Sequence, residues 1–411
     1  MGKNKISKTA AVTVILLALV VLGLAVLLTW TISAGRNVPG ASELETPRAP
    51  KETDLSILCV GDVMSHSPQT TAQYNASRGR YNYSNNFKYV KPYIEAADLA
   101  LCNVETTFAG EPYTGFPLFS APDALASALA KAGFDVGITA NNHMADKGIS
   151  GILRTQRVLQ KKGLDTVGSV QQESDPRYLI EEVNGVKIGI VAFTYETGSG
   201  QGGVSINGSY VSDEVADHIN SFNFNTLEED LPKIEDAIKG AKAAGAEIVI
   251  AYYHWGEEYQ QEANKNQRKL ARKTAGMGAD IIFASHPHVL QQAEYLEPEG
   301  SDRKVPVFYS MGNFISNQRT ETLGNRYTEQ GLMAQVDLTW SEKDGITEIR
   351  MGGIPTWVDK YYSEGKQVYE IIPLSEGLEE NEALEVSGHL SRAEQALEDA
   401  NGILGFDQSE H

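Results

Sequence analysis

Six short apolar runs, at residues 55–61, 98–104, 135–140, 248–254, 281–285 and 305–310, alternate with segments that place small or apolar residues three and four apart. Runs of this length suit strands buried on both faces, and the intervening spacing suits helices. The helices are expected at 122–132, 150–162, 227–244 and 264–277. Such alternation predicts an α/β fold, mixed β-sheets layered with helices. Residues 179–183 and 186–193 flank Asn184-Gly185, a dipeptide suited to the type I′ turn of a hairpin. The alternating runs 332–340 and 346–354 are expected to close a second sheet against the first.

Polar clusters follow the strands. In chain order they are Gly61-Asp62 with His66, Asn103-Val104-Glu105, Asn141-Asn142-His143, the stretch from His254 to Tyr259, and His286-Pro287-His288. Open α/β sheets bind ligands beyond the carboxyl ends of their strands, so these clusters can converge there. Each also has a plainer reading. Asp62 suits a turn, Asn103 and Glu105 a solvated strand exit, and the Asn pair a helix cap. Two imidazoles flanking a proline after an apolar strand have little structural purpose. Jointly, Asp62, Glu105, Asn142, His254, His286 and His288 offer carboxylate, amide and imidazole donors. That mixture suits Zn, Mn, Fe or Ni better than Ca or Mg. Six donors exceed one tetrahedral ion and fit two ions that share a carboxylate and activate a water.

Residues 9–34 carry no charge over 26 positions. As a helix they would reach about 39 Å, more than the roughly 30 Å hydrocarbon core of a bilayer. Lys3, Lys5 and Lys8 precede them, which predicts a single-pass cell-membrane anchor with a cytoplasmic amino terminus and an extracytoplasmic body. The run is longer than a cleaved signal requires. Residues 35–53 read as a Gly- and Pro-containing linker, and 54–373 as the domain. Beyond residue 36 there are 31 basic against 54 acidic residues, so nucleic acid is excluded as a partner held by general electrostatics. Cys59 and Cys102 both sit in apolar runs, either as buried thiols or as a bridge between neighbouring strands. The Gly-rich polar segment 197–225 reads as a surface excursion or as a cover over the site. Residues 374–411, ten of their positions from 375 onward acidic, read as a solvated helix or disordered end without chemistry.

Taken together, the strings Gly-Asp-Val-Met, Asn-Val-Glu-Thr, Ala-Asn-Asn-His-Met-Ala-Asp-Lys-Gly, His-Trp-Gly-Glu-Glu-Tyr, Ser-His-Pro-His-Val-Leu-Gln and Ser-Met-Gly-Asn-Phe resemble the motif series of calcineurin-like metallophosphoesterases. More closely, they are similar to the poly-γ-glutamate capsule biosynthesis branch, the CapA/PgsA-type proteins. The resemblance spans about residues 55–331. It implies a metallophosphoesterase-like layered sandwich with an amino-terminal anchor. It implies that Asp62, Glu105 and His288 serve one metal and Glu105, Asn142, His254 and His286 another, with His143 as acid and Asp146 orienting it. The metals implied are Mn, Zn or Fe. The partners implied are an anionic polymer or a phosphoester substrate and the membrane subunits of a polymer synthase. Two departures stand out. Met64 occupies the place of an expected His, with only His66 nearby, and Glu105 replaces a bridging Asp. The functions implied are a metal-dependent hydrolase or a non-catalytic, metal-stabilised subunit that binds the polymer or holds the synthase together.

Overall fold

The computed structural model describes residues 51–198, 203–375 and 377–405. The expected membrane anchor at 9–34, and all but the last three residues of the linker, lie outside that range. Among the described residues no helix is long and apolar enough to cross a membrane.

Strands β1 (Glu52–Val63), β2 (Leu99–Val104), β3 (Val136–Ile138) and β4 (Asp165–Val167) lie side by side and parallel. Helices α1 (Lys91–Ala96), α2 (Asp123–Ala132) and α3 (Gly148–Lys162) connect them. The chain then enters a second sheet through the hairpin of β5 (Tyr178–Val183) and β6 (Val186–Tyr195). Asn184 and Gly185 take φ of 53° and 85°, the left-handed pair that a type I′ turn demands. Strands β7 (Ile248–His254), β8 (Ile281–Ser285) and β9 (Val305–Phe308) continue parallel to β6, joined by α4 (Leu227–Ala243) and α5 (Lys265–Met277). Asn264 caps α5 by accepting from the Gln267 N–H, while the Gln267 side chain returns to the Asn264 N–H.

The chain finally returns to the first sheet. Strand β10 (Asn313–Ile315) runs parallel to the end of β1, and β11 (Gln330–Ser341) pairs antiparallel with it from Glu52 to Val60. β12 (Gly345–Ser363) and β13 (Lys366–Pro373) complete that sheet. This corrects the expectation that 332–340 and 346–354 close a second sheet against the first. They extend the first, because an alternating strand reads alike on either sheet and only its pairing decides where it lies.

Side chains alternate across each strand, and the two faces of β1 show it. Leu55, Ile57 and Cys59 join the apolar layer between the sheets, with Ile190, Ile250 and Phe283 from the other side. Leu58 and Val60 face the layer under α2 and α3. A third layer packs the second sheet against α4 and α5. The order is therefore helix, sheet, sheet, helix. Cys59 and Cys102 fall on opposite faces and both thiols are free, so the bridge is ruled out.

Two further segments pack more than their polarity suggests. Within 197–225, Ile206, Val215 and Ile219 cover Met144 and Ile152. The acidic tail, expected to be solvated, carries helix α6 (Leu390–Leu404), whose Ala393, Ala396, Ala400 and Leu404 are buried. Its one arginine, Arg392, donates to both oxygens of the buried Glu329 at 3.0 and 2.7 Å. Small residues four apart give a weak hydrophobic signal in sequence, yet they let a helix approach a sheet closely.

Candidate metal centre

Every cluster of the site sits where a parallel strand ends. β1 loses its regular register at Asp62 against both β2 and β10. Such bulges re-aim side chains next to sites. Gly61 permits this one, since a Cβ there would stand 2.0 Å from the Gly312 carbonyl oxygen. The Asp62 N–H donates to that same oxygen at 2.9 Å.

Asp62 Oδ1 accepts from Asn103 Nδ2 at 2.8 Å, and Oδ2 lies 2.9 Å from His288 Nδ1. Asn313 Oδ1 is 3.1 Å from the same nitrogen. Two acceptors converge on Nδ1, which assigns the proton there and leaves Nε2 facing Glu105 Oε1 at 3.7 Å. Across the site, His254 Nε2 is 2.8 Å from Asn142 Oδ1 and 3.8 Å from Glu105 Oε1. The His286 ring centroid lies 4.8 Å from that of His254 and 5.8 Å from that of His288, with Tyr195 against it at 4.7 Å. All six expected donor residues are thus gathered. Asp62, Glu105 and His288 form a buried group whose ligand atoms lie within 4.8 Å of one another, and such a group can hold a metal ion.

Unpaired atoms test whether a cation fits. Neither Glu105 oxygen, nor His286 Nδ1, has a hydrogen-bonding partner among the described residues. A buried polar atom left so costs about 1–3 kcal/mol, more if charged, and a bound ion is one way to offset it. The mixed set of carboxylate, amide and imidazole donors is of the kind that binds divalent metals. The residues present therefore fit a divalent cation.

Electrostatics agree. Burial drives the Glu105 carboxyl well above its ordinary range, and the Asp62 carboxylate pushes the same way. Burial drives His254 and His286 well below the ordinary imidazole value, assisted by the neighbouring imidazoles. At His288 burial also pulls downward, but the hydrogen bond and charge of Asp62 outweigh it and the pKa rises. A divalent cation inverts this local logic, because it favours ionised carboxylates and neutral imidazoles. The backbone is strained here as well. His286 and His288 take φ of 108° and 58°, a conformation that costs a non-glycine residue about 1–3 kcal/mol and persists where the surroundings enforce it.

His143 stands beside the group with its Nδ1 2.9 Å from Asp146 Oδ2. That oxygen also accepts the Phe119 N–H at 2.7 Å, and the Phe119 ring meets the imidazole edge-on at 4.6 Å. Met64 is buried, its sulfur accepting from Ser316 Oγ at 3.7 Å. His66 does not take the missing place. Its Nδ1 lies 3.2 Å from Gln69 Oε1 and 3.3 Å from the Asn317 N–H, and burial pushes its pKa down to about 4.

Residue-by-residue reading of the sequence left Asn313, Tyr195 and Tyr259 without roles. Asn313 fixes the His288 tautomer and donates through Nδ2 to Gln318 Oε1 and the Thr328 carbonyl. The signal for it was the Gly312-Asn313 pair directly after the last apolar run. Tyr259, at φ 66°, donates its N–H to the Pro287 carbonyl at 2.7 Å and so braces the His-Pro-His turn.

The family described as bacterial capsule synthesis protein PGA_cap matches residues 56–318. The chain is 30% identical over 273 residues to the capsule biosynthesis protein CapA of Bacillus anthracis, covering 64% of this chain and 60% of that one. It is 31% identical over 293 residues to the PGA biosynthesis protein CapA of Bacillus subtilis strain 168, covering 68% of each. The chain therefore spans somewhat under two thirds of the first relative's length and just over two thirds of the second's. Among solved structures it is similar to TT1561 of Thermus thermophilus, with 10% identity, a TM-score of 0.34, and coverage of 73% of this chain and 99% of that one. The matched span contains Asp62, Glu105, Asn142, His254, His286 and His288, and this chain belongs to the PGA_cap family of bacterial capsule synthesis proteins.

Proposed function

We propose that the chain serves capsule polymer biosynthesis, with poly-γ-glutamate as the polymer, from the outer face of a membrane that residues 9–34 cross. We further propose that its strand-end site is a metal-dependent hydrolytic centre for a phosphoester or related bond. The observation that carries the chemistry is Glu105, whose carboxylate is buried between His254 and His288 without a hydrogen-bonding partner among the described residues. Asp62, Glu105, Asn142, His254, His286 and His288 would hold one or two divalent ions. When bound, such ions supply Lewis-acid polarisation of a substrate oxygen and make water a better nucleophile at neutral pH. His143 keeps its Nδ1 proton toward Asp146, so it can act as the acid only as the imidazolium, which gives the second proton, on Nε2, to the leaving oxygen and is left as the neutral Nδ1–H ring. Phe119 and Asp146 fix the plane of that ring.

Turnover of bis(p-nitrophenyl) phosphate and of γ-glutamyl oligomers by the full chain, loaded with Mn, Zn or Fe, tests the reading. Activity lost in both His143→Ala and His288→Ala supports it. No turnover with any of the three metals sinks the hydrolytic part.

A second reading rests on Met64, which fills the place of an expected imidazole and is packed rather than exposed. In it, the same metal site orders the fold or grips polymer carboxylates without cleaving anything. Polymer output in cells decides between the two. His143→Ala keeps full output if the site only binds, and loses it if the site cleaves.

A further inference from the structure

Next to the metal centre lies a cleft of about 560 Å³ that none of the proposed chemistry uses. That volume lies in the range typical of small-molecule sites, roughly 300–1,000 Å³. One wall is the helix Ser67–Gln73, which presents Ser67, Thr70 and Thr71. The other is the loop carrying Glu111, Tyr113 and Thr114. Tyr81 joins them from a two-stranded hairpin in which it pairs with Tyr74. The three tyrosines form a continuous aromatic surface, with Tyr74 and Tyr81 centroids 5.0 Å apart and Tyr81 and Tyr113 centroids 5.2 Å apart. The Tyr81 and Tyr113 hydroxyls and the Glu111 carboxylate make no hydrogen bond with another described residue, so their polar capacity faces outward. Two ring contacts link the cleft to the site. Ser67 follows His66, whose ring rests on Phe119 at 5.1 Å, and Phe119 in turn packs on His143.

The charge of the lining narrows the occupant. It contains no Lys, Arg or His, and its one carboxylate is Glu111. Arg80 pairs with Asn75 in the hairpin and, by strand alternation, projects from the face opposite Tyr74 and Tyr81. Arg154, within electrostatic range of Tyr113, is already held by both oxygens of Asp123 at 2.8 and 3.0 Å. A polycarboxylate or phosphate would meet a carboxylate with no compensating cation. The lining Ser67, Thr70, Thr71 and Thr114 hydroxyls already bond within the protein. A sugar ring would therefore set its apolar C–H face on the tyrosine rings and its hydroxyls on the Tyr81, Tyr113 and Glu111 oxygens, and it carries no charge. We infer that this cleft binds a neutral oligosaccharide.

Calorimetric titration of the full chain with cellotetraose, with the β-1,4-linked N-acetylglucosamine tetramer and with a γ-linked glutamate tetramer tests this. At least one neutral tetramer should bind with a millimolar or lower dissociation constant. Tyr81→Ala and Tyr113→Ala should each weaken it about tenfold, and Tyr81→Phe, which keeps the ring, should hold it within about threefold. Absence of binding by both neutral tetramers overturns the proposal. So does affinity unchanged in both alanine variants while their circular dichroism matches the parent. Binding of the glutamate tetramer that the same variants abolish also overturns it, since the occupant would then be anionic. Elemental analysis of the same samples reads the metal centre separately, so sugar binding by metal-free protein would defeat only the metal reading.

Discussion

On one side of Glu105, His288 is held by Asp62 and Asn313, and Asp62 is held in turn by Asn103. On the other side, His254 meets Asn142, and His286 offers an Nδ1 that nothing takes among the described residues. The pKa directions divide the same way, upward at His288 and downward at His254 and His286. Imidazoles within one cluster thus differ because one has a carboxylate to share its proton and the others have burial and the repulsion of neighbouring imidazoles. The Asp62 side is satisfied by the protein's own groups, whereas His286 Nδ1 and both Glu105 oxygens are left without partners among the described residues.

Chelator-treated protein should expose the difference most strongly. His288→Ala leaves Asp62 buried without its cationic partner, a loss of about 3–5 kcal/mol. His286→Ala removes a ring whose Nδ1 was unpartnered and should cost only about 1–2 kcal/mol. Denaturant melts compare them, and equal costs would break the distinction between the two sides. Next in size is Glu105→Gln, which removes a buried group held far from its ordinary pKa. In chelated protein it should raise stability by about 1–3 kcal/mol, although it removes a ligand. A destabilised chelated variant would mean that Glu105 is satisfied without a cation.

The pH profile sharpens the contrast with smaller effects. His254 and His286 have folded pKa values well below the ordinary 6.5, so the unfolded chain takes up protons that the folded one refuses. In chelated protein the His254 and His286 contribution to stability should fall as pH drops below about 6.5, against an opposite contribution from Glu105, whose raised pKa favours the folded state as pH falls, and His286→Ala should remove part of the histidine loss. His288 has the opposite sign. Its stabilisation is full below 6.5 and is lost as pH rises through its raised folded pKa. His288→Ala should flatten the alkaline limb, and thermal melts across pH 5–9 read both. The smallest expected change in stability belongs to Met64→His, which places an imidazole two residues beyond Asp62 at a packing cost near 1 kcal/mol. It should raise the number of bound ions per chain, and an unchanged ratio would show that Met64 is not what limits the Asp62 side.

Much of this arrangement was legible in the sequence, for a definite reason. Strands buried on both faces read as unbroken apolar runs, so 248–254 and 281–285 matched their observed limits, and the polar residue that ends each run marks the site. All four expected helices appeared within two residues of their expected ends. What stayed hidden depends on pairing across long separations. Nothing local says that β11 lies against β1 rather than in the other sheet. Arg392 looks like a lone surface cation until Glu329, 63 residues earlier, is seen buried beneath it. Asn313 was visible as a residue after a strand, but its part in setting the His288 tautomer exists only once both are folded together. The tyrosine cleft was invisible because its members come from a helix, a hairpin and a loop with no shared periodicity.

The central claim is that the unpaired carboxylate of Glu105 is there for a divalent cation. Elemental analysis of the full chain, purified without chelator, against Glu105→Gln prepared identically, tests it most directly. At least one Mn, Zn or Fe per chain in the parent, falling below a tenth of that in the variant, is the predicted result. A metal-free parent, or equal metal in both, would contradict it.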